Sequence, residues 1–408
     1  MNPTRILRPG ALLLLPLFHL LSCASATAAL FSTSELAATT NVTLTGVLPH
    51  GLKSLEVENR LGAIRIIGTD NGPLEWSWNL KVRARTSAIA QQAATKAICT
   101  AHRDGDRLRL IVSLPNPDAK FNLQSDLEIR APKGASVVTK NAYGPTAISN
   151  LSGGVDATSQ SASVELESIA GKIHAQTSFA SLRVRDVGPA TLKNQSGQIQ
   201  ASDVHGPLQA ETSFAALQAR DIAGAVKLRN QSGSIEATQI GGGADIKTSF
   251  AEITVKAVKG DVIAHNQSGR IGASDVGGTV EAITSYGALD IEGRGPAFEC
   301  RNENGSVKLR ATSAALTNLV AHTSFGVMEI HLAPTLNPAI QAHTSYGSLK
   351  SDFPLRPKGE KTLHNVASGI PRIRLENQNG SIRILRDTDS STQRQPTPRA
   401  VKSVHAGK

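Results

Sequence analysis

The chain has 408 residues, a formal net charge of +10 and only 3% aromatic residues. So few bulky side chains exclude a broad globular core at this length and call for a narrow interior. The charge excludes little, because half of it sits at the ends. Residues 1–30 contribute Arg5 and Arg8, residues 386–408 hold five Lys/Arg against two Asp, and +5 is left for the body between them, an ordinary solvated surface with no nucleic-acid footprint. Three cysteines are too few for a disulfide framework, although Cys99 and Cys300 are free to pair in an oxidising compartment.

In chain order, the first element is an export signal. Arg5 and Arg8 precede an apolar stretch over 11–21 that gives way to small residues and is too short to span a bilayer as a helix. Its exit reads two ways. Leu20-Leu21-Ser22-Cys23 resembles the lipobox of bacterial lipoproteins, which makes Cys23 a lipidation candidate. Ala24-Ser25-Ala26 and Ala26-Thr27-Ala28 are ordinary cleavage sites that would discard Cys23. Nothing later is long and apolar enough to span, so a membrane is reached only through such a lipid.

Residues 31–135 read as an N-terminal cap. Asn59-Arg60-Leu61-Gly62 leads into the alternating strand Ala63-Ile64-Arg65-Ile66, and 74–82 forms a second strand. The Ala- and Gln-rich stretch 87–99 carries helical apolar spacing at Ile89, Ala93, Ala97 and Ile98, and predicts one amphipathic helix. Asp104-Gly105-Asp106 is a turn before a strand over 108–114.

Residues 136–386 are repeats. Asn-Gln-Ser-Gly opens at Asn194, Asn230 and Asn266, with the variant Asn-Glu-Asn-Gly at Asn302. Thr-Ser-Phe or Thr-Ser-Tyr units at Thr177, Thr212, Thr248 and Thr284 interleave with them and set a period of about 18 residues. Weaker copies stand at Asn141 and Ser159. Thr323, Thr344 and Asn377 continue the series at longer steps, past an insertion over 351–371. Apolar columns recur five, seven, ten and fourteen residues after each start, as at Leu182, Val184, Val187 and Leu208, while glycines punctuate the turns. The expected fold is therefore all-β. It is a β-solenoid of ~18-residue coils, a single-stranded β-helix given right-handedness by the general bias of β crossovers, under a small cap containing one helix. Residues 387–408 are basic and aperiodic and read as a disordered tail.

Several motifs invite a site. The Asn-Gln-Ser triplets and Asn41-Val42-Thr43 match glycosylation sequons, but a repeated corner explains the former by the turn chemistry of Asn and Gly. Asp186, Asp203, Asp221 and Asp275 recur nine residues after a start. Three on adjacent coils suggest Ca²⁺, and corner capping beside Arg185 and Arg220 is the plainer reading. His322 and His343 share one slot before consecutive T-S-F/Y units and are weak candidates for a shared zinc. No other metal and no cofactor is expected, and no elbow, zinc-protease or phosphate-loop motif is present.

The early N-x-x-G-x-I-x-I strand, the helix between strands and the T-S-F/Y and N-x-x-G coils resemble the bacterial putative-adhesin family of unknown function over about 55–386. That family is in turn similar to the head domains of autotransporter adhesins. The resemblance implies an exported β-helical protein of the cell envelope (periplasm, outer membrane or cell surface) and supplies no catalytic residue. The expected function is a non-catalytic adhesive or structural element touching a periodic partner, such as a glycan or another protein surface, through many weak contacts. Two alternatives stand beside it. One is a carbohydrate-active β-helix enzyme of lyase or hydrolase type, with converging acids in the insertion. The other is a passive scaffold that associates through its end strands.

Overall fold

The computed structural model describes residues 38–48, 51–70, 72–116, 120–358, 361–365 and 370–387. The export signal with Cys23, and the basic tail from 388 onward, lie outside the described residues.

One coil shows how the period folds. In Ile173–Thr177 alternate side chains Ile173, Ala175 and Thr177 point inward. The chain turns through Ser178-Phe179-Ala180-Ser181 into Leu182–Val187, and Gly188-Pro189 returns it to the next copy, Ala190–Asn194. Pairing is parallel and in register. Ile173 stands beside Ala190 and Ala190 beside Leu208, while on the other face Leu182 meets Ile199 and Ile199 meets Leu217. Each coil thus gives one strand to each of two parallel sheets at ~4.8 Å spacing. Columns that alternate Ala with Leu or Ile, such as Ala175, Leu192, Ala210 and Leu228, fill the narrow space between them.

The second strand of each coil breaks simple alternation, because two outward residues precede the last inward one. The break is a residue in the left-handed region: Asn150, Ser168, Asp186, Asp203, Asp221, Gln239, Ala257 and Asp275 have φ between 52° and 59°. That conformation takes up one residue and turns the next, such as Val187 or Val204, back into the core. Asn and Asp tolerate it better than other side chains, which accounts for the Asp column without a metal. The column ends at Gly293, where the register shifts and an added Cβ would lie 3.1 Å from the ring of Phe298, the largest fully buried side chain.

Stacking order departs from chain order at both ends. Ser54–Asn59 lies between Arg107–Ser113 and Ser136–Asn141, and Ile64–Thr69 between Phe121–Pro132 and Thr146–Leu151. At the far end Arg372–Asn379 lies between Asn318–Phe325 and Ala339–Thr344, and Ile382–Arg386 between Met328–Leu332 and Leu349–Ser351. The first and last coils of the chain are each held by two neighbours instead of one, which opposes fraying. The sheets also run unbroken through the boundary expected at 135/136, because the coils built from 54–69 and 107–132 stack in register with the repeats.

Beyond these coils the edges are covered. Leu74–Ala84 adds antiparallel to Phe121–Pro132 and Ala38–Leu48 antiparallel to Leu74–Ala84, burying Trp76 and Trp78, and Trp78 Nε1 donates to Ser125 Oγ at 2.8 Å. The helix spans Ser87–Lys96, shorter than the expected 87–99. Thr86 Oγ1 caps it by accepting the Ile89 N–H at 3.3 Å, and Ala90, Ala93 and Ala94 are buried. Cys99 therefore falls on the strand Ile98–Asp104 instead. In the insertion, Thr362–His364 pairs antiparallel with Ala339–Thr344 and with Arg356–Pro357, blunting that edge.

Cys99 and Cys300 do not pair. Both are free, and twelve strand steps along one sheet separate them by roughly 58 Å.

Candidate functional site

The Asn and Thr that open each coil point inward and cap the turns. Asn194, Asn230 and Asn266 are buried, and each Nδ2 donates to a carbonyl of the preceding coil, at Ala180 (2.7 Å), Ala215 (2.8 Å) and Ala251 (2.6 Å). Thr212 and Thr284 make the equivalent bond to Gly197 and Gly269 at 3.1 Å each. Gly completes the N-x-S-G corner because backbone approaches closely there: a Cβ on Gly233 would fall 2.1 Å from the Ala215 carbonyl oxygen. Side chains committed to these bonds are not available to a sugar transferase, so the three sequons at Asn194, Asn230 and Asn266 are structural.

Two residues after each start, the same corner does the opposite. Tyr143, Phe179, Phe214, Phe250, Tyr286, Phe325 and Tyr346 are all exposed, from 52% at Phe325 to 79% at Tyr346. They are half of the fourteen aromatic residues in the chain. Burying one such ring would stabilise the fold by about 1.5–3 kcal/mol, so folding energetics alone would put them inside. The coils between them place Ser161, Ser196, Ser232, Ser268, Asn304 and Asn379 in the same column. Rings and small polar residues therefore alternate strictly, with a ring every second coil, ~9.6 Å apart along the axis.

The last coil completes this pattern. In chain order Phe325 is followed by Tyr346, which would put two rings on adjacent coils. Insertion of Arg372–Asn379 between them restores the alternation as Phe325, Asn379, Tyr346. The buried ladder follows the same order. Asn377 Nδ2 donates to Gly326 O at 2.8 Å, and Thr344 Oγ1 to Gly380 O at 2.9 Å.

One position before each ring column, exposed amides and half-buried hydroxyls alternate out of phase with the rings: Gln195, Ser213, Gln231, Ser249, Gln267 and Ser285. Backbone bonds tie the corners together, for example Ser196 N–H to Ser178 O at 2.8 Å and Ser232 N–H to Ser213 O at 2.8 Å. Rings and amides thus stand on a fixed ladder, already placed for contact. From the coil at Asn141 to the coil at Thr344 the four corner positions hold one charged residue, Glu303, in a chain that is 19% charged. Some charges on the adjoining sheet face pair with one another, as in Lys140–Glu58 (3.0 Å), His265–Glu281 (2.9 Å) and Arg301–Glu299 (2.6 Å), while Lys193 and Lys247 stand exposed beside the corners. Near one end the row opens on a notch of about 480 Å³ lined by Ser285, Glu303, Asn304, Phe325 and Gln378.

The other candidates come apart. His322 and His343 are not on adjacent coils, because the inserted strand places Glu376 between them. They sit two steps, ~9.6 Å, from each other, and each ring is engaged with a different partner. His322 Nδ1 faces Glu376 at 3.6 Å and His343 Nδ1 bonds Thr362 Oγ1 at 2.9 Å. Arg374 bonds Glu376 at 2.6 Å and, more than His322, holds its carboxyl below the usual range. Among the described residues no cluster of three metal-ligating side chains occurs. The Asp column is engaged separately: Asp186 with His205 (2.8 Å) and Ser168 (2.9 Å), Asp221 with Arg220 (3.2 Å), and Asp275 with Arg294 (2.5 Å). Asp221 and Asp275 do line one groove, but three coils, ~14 Å, part them, further than the carboxylates of either glycosidase geometry. The hollow beside the insertion is lined, among the described residues, by Asn318, Gln341, Lys358, His364, Arg372 and Arg374, with no carboxylate.

The sequence marked the T-S-F/Y units as repeats without reading their rings as a surface. The available signal was the 36-residue ring spacing, twice the coil period, in a chain so poor in aromatics.

No family model matches the chain, and no curated protein matches it. Among solved structures it is similar to a putative cell adhesion protein from Clostridium sporogenes (9% identity, TM-score 0.18), over 85% of this chain and 100% of that one. It is also similar to a putative adhesin from Bacteroides fragilis (11%, TM-score 0.20) and another from Parabacteroides distasonis (10%, TM-score 0.22). Each of these covers 85% of this chain and 97% of its own. These carry the description that the sequence resemblance leads one to expect; at such identities and scores the likeness carries no argument about this chain.

Proposed function

We propose that this chain is an exported, non-catalytic binding element that holds an elongated partner along its corner row. The observation that carries the reading is the strict alternation of seven exposed rings with polar residues, preserved where the last coil is inserted out of chain order. Exposed apolar groups of this size mark contact surfaces. Regular spacing on a rigid ladder suits many weak contacts made at once, each raising the effective concentration for the next. Export is supported by the charged, apolar and small-residue succession at the N-terminus, with Cys23 as the point of a lipid anchor if the lipobox is used.

The test is to incubate the full chain with envelope and matrix polysaccharides and with matrix proteins, and to measure both retained protein and released products. Retention without new soluble oligosaccharides is expected. Release of oligosaccharides would overturn the non-catalytic reading, and Cys23→Ala should free a lipid-anchored chain from the membrane fraction.

A further inference from the structure

We infer that the corner row binds a neutral, extended β-1,4-linked glycan, one two-sugar repeat for every two coils; this rests on the row being the contact surface. Three features select that ligand. The first is chemistry. A pyranose offers an apolar C–H face and a rim of hydroxyls, and the row offers ring faces with amides and hydroxyls interleaved at fixed offsets, such as Phe250 beside Gln231 and Gln267. The second is pitch. Rings recur every ~9.6 Å along the stack of coils, close to the two-sugar repeat of a fully extended β-1,4 chain, in which alternate sugars present the same face. The third is charge. The row of thirteen corners has Glu303 as its one charged residue, which suits an uncharged polymer, although the exposed Lys193 and Lys247 stand one position before the corners. A second copy of this chain fits less well. Interleaving two such combs would bury the exposed Gln195, Gln231 and Gln267 amides between rings without assured partners.

The test compares retention of the full chain on insoluble chitin and cellulose, both β-1,4-linked, with curdlan (β-1,3) and amylose (α-1,4). Two variants accompany it: Phe214→Ala/Phe250→Ala/Tyr286→Ala, which removes three adjacent rings, and Ser232→Phe/Phe250→Ser, which keeps the ring count but moves one ring by a coil. All these positions are exposed or partly so, and unfolding curves matching the wild type verify that the variants fold. The expected result is retention on a β-1,4 polymer alone, weakened by about 1,000-fold for the triple variant and also weakened for the shifted one. Equal binding to amylose, or a shifted variant as good as the wild type, would overturn the glycan assignment while leaving the row as a contact surface. No polysaccharide binding together with ring-dependent dimerisation in sedimentation would assign the row to a second copy. If the triple variant kept every attachment of the wild type, the row would not be the contact surface at all.

Discussion

Asn230→Ala should open the solenoid locally by about 3–4 kcal/mol. Asn230 is buried and makes three bonds: Nδ2 to Ala215 O at 2.8 Å, and Oδ1 from the N–H groups of Gln231 and Gly233 at 2.8 and 3.1 Å. Alanine removes all three at about 1 kcal/mol each and leaves the Ala215 carbonyl and the Gln231 and Gly233 amides without these partners. Stability in a stacked repeat is a sum of neighbour terms, so the loss should concentrate in the coils on either side. Native-state hydrogen exchange resolved by coil, backed by denaturant unfolding, measures this directly. Exposed Gln231→Ala, one residue along the same corner, should change protection by less than ~0.5 kcal/mol. Asn230→Thr should recover part of the loss, because Thr248 makes the equivalent interlayer bond to Gly233 O at 3.4 Å. If Asn230→Ala and Gln231→Ala were indistinguishable, the buried ladder would not be what holds the corners, and the row above it would not be preorganised.

Four further outcomes are expected. Asp203, at φ 53°, should accept Gly with little change, whereas Asp203→Val should cost about 1–2 kcal/mol in denaturant unfolding, the strain of a β-branched left-handed residue. The hydrogen bond from Lys140, helped by Arg109 and opposed by partial burial, holds the Glu58 carboxyl below its ordinary value. Its stabilisation is therefore full above the unfolded-state pKa and is lost as pH falls through the folded one, so from about pH 5 downward the wild type should lose more stability than Glu58→Gln in acid titrations followed by circular dichroism. Zinc or EDTA should leave the melting temperature unchanged, since Glu376 separates His322 from His343; a zinc-dependent rise abolished by His322→Ala would contradict that arrangement. Burial pushes the Cys99 thiol up to about 11 and Cys300 up to about 12, so both should resist iodoacetamide at pH 8 until the chain unfolds. Mass spectrometry showing a Cys99–Cys300 disulfide would refute the coil order.

The period of the fold was legible because every coil repeats the same buried columns, and Leu182, Val184, Val187 and Leu208 lie where the spacing put them. The helix was legible for the same reason, except at its end, where the chain leaves helical geometry at Ala97 for the edge strand Ile98–Asp104. Three features were not legible. The Asp column looked like side-chain chemistry, and it is backbone chemistry: a left-handed residue needed once per coil, a role that Gln239 and Ala257 also fill. The coil order at the ends was hidden because sequence spacing does not say which neighbour a strand chooses, and that choice separated His322 from His343. Only the end of the row was hidden by the same choice, since its alternation at Phe325, Asn379 and Tyr346 exists only in the stacked order, whereas from Tyr143 to Phe325 the rings alternate in chain order.

The central claim is that many equivalent rings share the work of binding. It is tested most directly by measuring affinity for one immobilised partner while rings are removed singly and in adjacent groups of two, three and four. Each ring leaves roughly 120 Å² of its surface open, and a partner covering one face would hide about half of it, worth ~1.5 kcal/mol. The prediction is a stepwise fall of about tenfold per ring, similar for Phe214→Ala and Phe250→Ala, with thermal stability unchanged. Complete loss from any single substitution, or no loss after four, would contradict it.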